Sequence, residues 1–75
     1  MSKPTRITNS IRALRFARGE MTQAELAQRI GVTRQTVIAI EQGRYSPSLE
    51  VAFQIARVLK VPLDEVFQYP EGDSQ

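Results

Sequence analysis

Apolar and polar positions along this 75-residue chain fall into helical periods from Asn9 onward. Residues 1–8, MSKPTRIT, carry no such period and read as a flexible basic arm. Beyond it, Ile11, Leu14 and Ala17 line one stripe with Phe16 beside them. They predict a first helix over about 9–18, capped by Thr8 or Asn9 and stopped at Gly19.

MTQAELAQRIG is the clearest local signal. Thr22 and Glu25 have capping-box spacing, and Met21 and Leu26 have the spacing of a hydrophobic staple. Ala24, Ala27 and Ile30 complete a buried face, and Gly31 supplies a left-handed stop, so a second helix is expected over 23–30. Only Gly31 and Val32 separate it from the next cap, Thr33. A third helix then runs over about 34–42 and ends at Gly43. So short a connection cannot lay two helices antiparallel; it forces the corner of a helix-turn-helix, with Val32 as its buried apolar residue.

Ser46-Pro47 opens a fourth helix, with Pro47 placed for the first helical position. Leu49, Ala52, Phe53, Ala56 and Leu59 form its stripe, widened by Val51, Ile55 and Val58, which implies burial on more than one side. Val61-Pro62 breaks it. A fifth helix over about 63–68 has Asp64 and Glu65 at its N-terminus and Leu63, Val66 and Phe67 as apolar contacts. Residues 70–75 read as a frayed tail. No strand alternation is present. The expectation is an all-α domain over 9–69, five short helices around one core.

Composition narrows the chemistry. The chain has no cysteine and no histidine, which removes disulfides, thiol chemistry, the commonest general base and the commonest metal ligand. No nucleophile–base pair stands out, and the acidic pair Asp64-Glu65 is accounted for by the helix dipole. An enzyme, a metal, a cofactor or a small-molecule site is therefore not expected. No apolar run approaches the ~20 residues that span a bilayer, and the N-terminus lacks a signal-peptide core, so the expected location is the cytoplasm.

Charge is unevenly spread. Residues 1–45 hold eight basic groups (Lys3, Arg6, Arg12, Arg15, Arg18, Arg29, Arg34, Arg44) against three acids, whereas 46–75 hold two against five. A basic half dominated by Arg points to a polyanion such as nucleic acid. Within it, the third helix has a spare face. At ~100° per residue, Val37 and Ile40 define its inward side, while Arg34, Gln35, Ile38, Ala39 and Gln42 are left outside. Gln can pair with adenine, Arg with guanine, and apolar groups can meet a thymine methyl. Glu41, in the last turn, opposes the macrodipole and calls for a cation. Arg15, beside the first helix's apolar stripe, is the best candidate for a structural ion pair.

Taken together, TQAELAQRIGV, TRQTVIAIEQGR and PSLEVAFQIARVLKV resemble the XRE/Cro-C1 helix-turn-helix family, which includes the phage 434-type repressors; the likeness spans about Ile11 to Tyr69. It implies a five-helix, lambda-repressor-like DNA-binding domain, paired as a homodimer on two-fold double-stranded DNA, and it implies the Arg15–Glu41 pair as well. By position it implies that Arg34, Gln35, Thr36, Ile38 and Ala39 face bases. It further implies that Thr22, Gln23, Thr33, Gln42, Arg44 and Tyr45 serve the phosphate backbone. Ile38 and Ala39 depart from the polar residues many relatives carry there, which favours van der Waals contact, or simple clearance, over amide readout. The expected function is a sequence-specific transcriptional regulator, in particular a repressor. The alternative is an antitoxin or other interaction module whose DNA binding is controlled by a regulatory protein partner. Leu63, Val66, Phe67 and Tyr69 would supply either a dimer seam, a partner's docking surface or simply closure of the core. Lys3 and Arg6 would follow the DNA or belong to an unbound tail.

Overall fold

A computed structural model describes residues 5–70. The chain order is β1 (Thr8–Asn9), α1 (Ile11–Ala17), α2 (Gln23–Ile30), α3 (Arg34–Glu41), α4 (Leu49–Leu59), α5 (Leu63–Val66) and β2 (Phe67–Gln68). Five helices surround one core, built on Ile11, Leu26, Val37, Ile55, Leu59 and Val66, each fully buried.

α2 and α3 are bounded by their own residues. Thr22 Oγ1 accepts from the Glu25 amide and Thr33 Oγ1 accepts from the Thr36 amide, so each helix has a side-chain N-cap. The Glu25 carboxylate does not complete a reciprocal box; it takes Arg29 Nη2 at 3.1 Å one turn on. Gly31, at φ +76°, ends α2, and the Val32 amide donates back to the Ala27 carbonyl at 3.0 Å. This Schellman turn ends the helix and redirects the chain within two residues. Val32 packs half-buried against the core, which locks the corner between α2 and α3.

Several expectations are corrected. α1 starts at Ile11, with Ser10 at the cap position; Asn9 Oδ1 instead accepts the Ile11 amide, and Asn9 Nδ2 donates to the carbonyls of Ile40 and Glu41. Asn9 thus satisfies orphan carbonyls at the end of α3. Ala17, Phe16 and Ala24 lie exposed, because Arg15 and Met21 take the inward positions there. Ser48, not the Ser46-Pro47 pair, caps α4 through its hydroxyl, leaving Pro47 outside the helix. Leu49 and Phe53 are 68% and 54% exposed, so the α4 stripe is narrower than its apolar sequence. α5 stops at Val66 because Phe67–Gln68 pair antiparallel with Thr8–Asn9, a ladder no local pattern announces. That ladder, and the bond from Ser46 Oγ to Thr5 Oγ1 at 2.8 Å, tie down part of the expected arm. Residues 1–4, including Lys3, and most of the expected tail, 71–75, lie outside the described residues.

Candidate nucleic-acid interface

Two helix starts and one helix face converge on a single side of the molecule. The base of this side is a buried polar knot. Arg15, 7% exposed, donates from Nε to Glu41 Oε2 at 2.7 Å and from Nη2 to Oε1 at 3.2 Å, while Nη1 reaches the Met21 carbonyl at 2.7 Å. Glu41 Oε1 also accepts from Gln23 Nε2 at 3.1 Å. One carboxylate at the end of α3 therefore fixes α1, the α1–α2 connection and the first residue of α2. The fork geometry suits Arg and would be lost with Lys. No buried side-chain polar atom among the described residues is left without a partner.

α3 stands on this knot. Val37 and Ile40 are 1% and 2% exposed and face the core. Arg34, Gln35 and Gln42 are exposed, and Ile38 and Ala39 are half-buried between them. The side chains of Arg34 and Gln35 make no hydrogen bond or ion pair among the described residues. Their donors are unspent at the tip of the helix.

The other predicted contact residues are arranged less freely. Thr36 is half-buried and its hydroxyl lies 3.0 Å from that of Thr33, so both threonines serve the α3 cap. The Gln23 side-chain amide is turned inward to Glu41, so what α2 presents on this side is the backbone of its first turn. Gln42 Oε1 accepts from Arg44 Nη1 at 3.2 Å, which holds the arginine over the end of α3, and Tyr45 beside it is 44% exposed. Among the expected seam residues, Val66 is fully buried, Leu63 and Phe67 pack against the core, and Tyr69 is 67% exposed. As a group they close the core, and Tyr69 alone of them is well exposed.

One feature escapes the sequence. An open groove of about 1110 Å³ runs between α1, the start of α2 and the outer edge of α3, bordered by Arg12, Phe16, Gln23, Arg34, Ile38 and Gln42. Phe16 is 53% exposed, with the Arg12 guanidinium 5.8 Å from its ring centre. The i, i+4 spacing of these two residues on α1 was a usable signal, obscured because Phe16 reads as core. Among the described residues, no group of acidic side chains is placed to hold a metal ion, and no helix is long and apolar enough to cross a membrane.

Comparison with known proteins agrees with this geometry. The family model described as "Helix-turn-helix" matches residues 11–66. An HTH-type transcriptional regulator of Methanothermobacter thermautotrophicus is 58% identical over 56 residues, covering 73% of this chain and 81% of that protein. Another, from Methanocaldococcus jannaschii, is 47% identical over 71% of this chain and 80% of its own length. The cryptic phage CTXphi transcriptional repressor of Vibrio cholerae is 39% identical over 79% of this chain and 52% of the repressor. A crystal structure of a Bacteroides fragilis protein superposes with a TM-score of 0.72 over 83% of this chain and 98% of that one; at 22% identity this speaks to the fold alone. The chain belongs to the XRE-type helix-turn-helix family of DNA-binding transcriptional regulators.

Proposed function

We propose that this regulator is a sequence-specific repressor that binds double-stranded DNA as a dimer, with α3 entering the major groove N-terminus first. The observation that carries this reading is the pair of exposed side chains Arg34 and Gln35 at the start of α3, whose donors no other group occupies. Arg can address guanine O6 and N7, and Gln can address adenine N6 and N7. Thr36, Ile38 and Ala39 follow behind them, where the Ala39 methyl or the sec-butyl side chain of Ile38 suits a thymine methyl better than a polar base edge.

The backbone contacts fit the same docking. The N-terminus of α2, with Thr22 and Gln23, presents amides to one phosphate. Thr33 at the α3 cap, together with Gln42, Arg44 and Tyr45 past its end, flanks the groove on the other side. Phosphate contacts of this kind set position, and the groove contacts set sequence. Pairing of two copies would place two recognition helices ~34 Å apart, matching one turn of duplex. Repression is the simplest output for a chain that occupies DNA with α3, and the CTXphi relative is itself a transcriptional repressor.

Selection of bound duplexes from a random pool tests this reading. The expected result is a motif of two inverted half-sites whose centres lie about one helical turn apart. Recovery of no motif, with binding that depends only on salt, would overturn it.

A further inference from the structure

Away from the recognition face, α4 carries two large apolar side chains in the open. Leu49 is 68% exposed and Phe53 is 54% exposed, and they stand one turn apart on the same face. Glu50, Gln54 and Arg57 are exposed beside them. Glu50 and Arg57 are separated by one heptad, so they occupy equivalent positions two turns apart along one edge of that face.

This spacing selects a particular occupant. If a second α4 is laid antiparallel over the first, a two-fold axis near Phe53 and Gln54 brings Glu50 opposite the second copy's Arg57. The same axis brings Arg57 opposite the second copy's Glu50. Phe53 of both copies meets near the axis, between the two charge pairs, and Leu49 of each copy lies one residue beyond them, at the two ends of the contact. A parallel arrangement would set Glu50 against Glu50 and Arg57 against Arg57. The face is complementary to itself in one orientation, which is the property an isologous interface requires.

We propose that the Leu49–Phe53 face of α4 is the surface through which two copies of this chain pair, antiparallel, with reciprocal Glu50–Arg57 contacts. This rests on the proposed function for its biological setting, and it moves the seam away from Leu63, Val66 and Phe67, which the core already uses. Two apolar side chains from each copy cover less than the ~1,000 Å² typical of a stable free interface. Pairing is therefore weak in free solution and is completed on DNA, where adjacent half-sites hold two copies at high effective concentration.

Glu50 lies in the first turn of α4 and Arg57 in the last, so each also suits the helix dipole, a role that a monomer would keep. A mixing experiment separates the two roles. Glu50→Arg gives a face with two positive positions, and Arg57→Glu gives one with two negative positions. Each variant alone should pair at least about tenfold more weakly than the native chain, since like charges then oppose each other twice. The equimolar mixture should recover pairing, because every contact is again between opposite charges. Circular dichroism melts verify that both variants fold. Sedimentation of the free proteins and cooperativity on a duplex with two inverted half-sites supply the readouts. A native chain that neither self-associates nor binds cooperatively overturns the proposal, as do single variants that pair like the native chain or a mixture that fails to recover. Binding to a single half-site duplex is measured alongside. Loss of sequence preference there would fail the DNA-reading proposal, while the sedimentation arm would still decide the pairing.

Discussion

Arg15 and Glu41 meet through two parallel hydrogen bonds, at 2.7 and 3.2 Å, with each side chain 9% exposed. The pair is charge-assisted and nearly dry, and Gln23 and the Met21 carbonyl absorb further valences. Removing one partner leaves a buried charge with no counter-ion. Arg15→Met or Glu41→Leu alone is expected to lower stability by about 3–5 kcal/mol, and the double variant should lose less than the sum of the two. Urea denaturation of the four proteins closes the cycle. A single-variant loss below about 1 kcal/mol would show that the pair behaves as a surface bridge.

Gln35 has a free amide at the tip of α3. Gln35→Ala should relax discrimination at one base pair per half-site, with a cost of ~1–3 kcal/mol against the preferred base and little change against other sequences. Competition binding with single-base variants of the selected site measures this. Retention of full discrimination would remove Gln35 from the readout.

Arg44 is exposed beyond the end of α3 and is oriented by Gln42. A phosphate contact there carries no sequence information. Arg44→Ala should weaken all duplexes alike, and the slope of log K against log salt should fall by about one per copy. A change confined to one base position would instead place Arg44 among the base contacts.

The legible parts of this protein are those whose signals are local. The eight residues of α2 lie between a Thr cap and a left-handed Gly, and both its ends fall where the sequence puts them. Arg15–Glu41 is a long-range contact, yet it too was readable, because a carboxylate in the last turn of a helix demands a cation. The start of α4 was harder: Ser46 and Ser48 flank one proline, and cap chemistry favours neither until the backbone decides. The exposure of Leu49 and Phe53 could not be read from periodicity, since a wide apolar stripe looks the same whether a core or a second chain covers it. Phe67 and Gln68 left the helical pattern to pair with residues almost sixty positions earlier, which only tertiary structure determines. Gln23 and Thr36 show the same limit within the site: their residue types suit DNA, but their side chains are engaged by Glu41 and Thr33.

Lys60 ends α4 in the left-handed region at φ +63°, with the Val61 amide returning to the Ala56 carbonyl at 3.2 Å. This is the same Schellman closure that Gly31 provides for α2, made here by a residue with a side chain. A β-carbon in that conformation crowds the following carbonyl, and the exposed Lys60 side chain makes no hydrogen bond or ion pair among the described residues to offset this. Gly carries no such penalty but has more freedom to lose on folding. The steric gain should outweigh that loss, so Lys60→Gly is expected to raise stability by about 0.5–1 kcal/mol. The substitution lies away from α3, so affinity for a single half-site should stay unchanged. Thermal melts and half-site titrations check both. A lower melting temperature would show that the Lys60 side chain contributes a contact larger than the backbone strain it imposes.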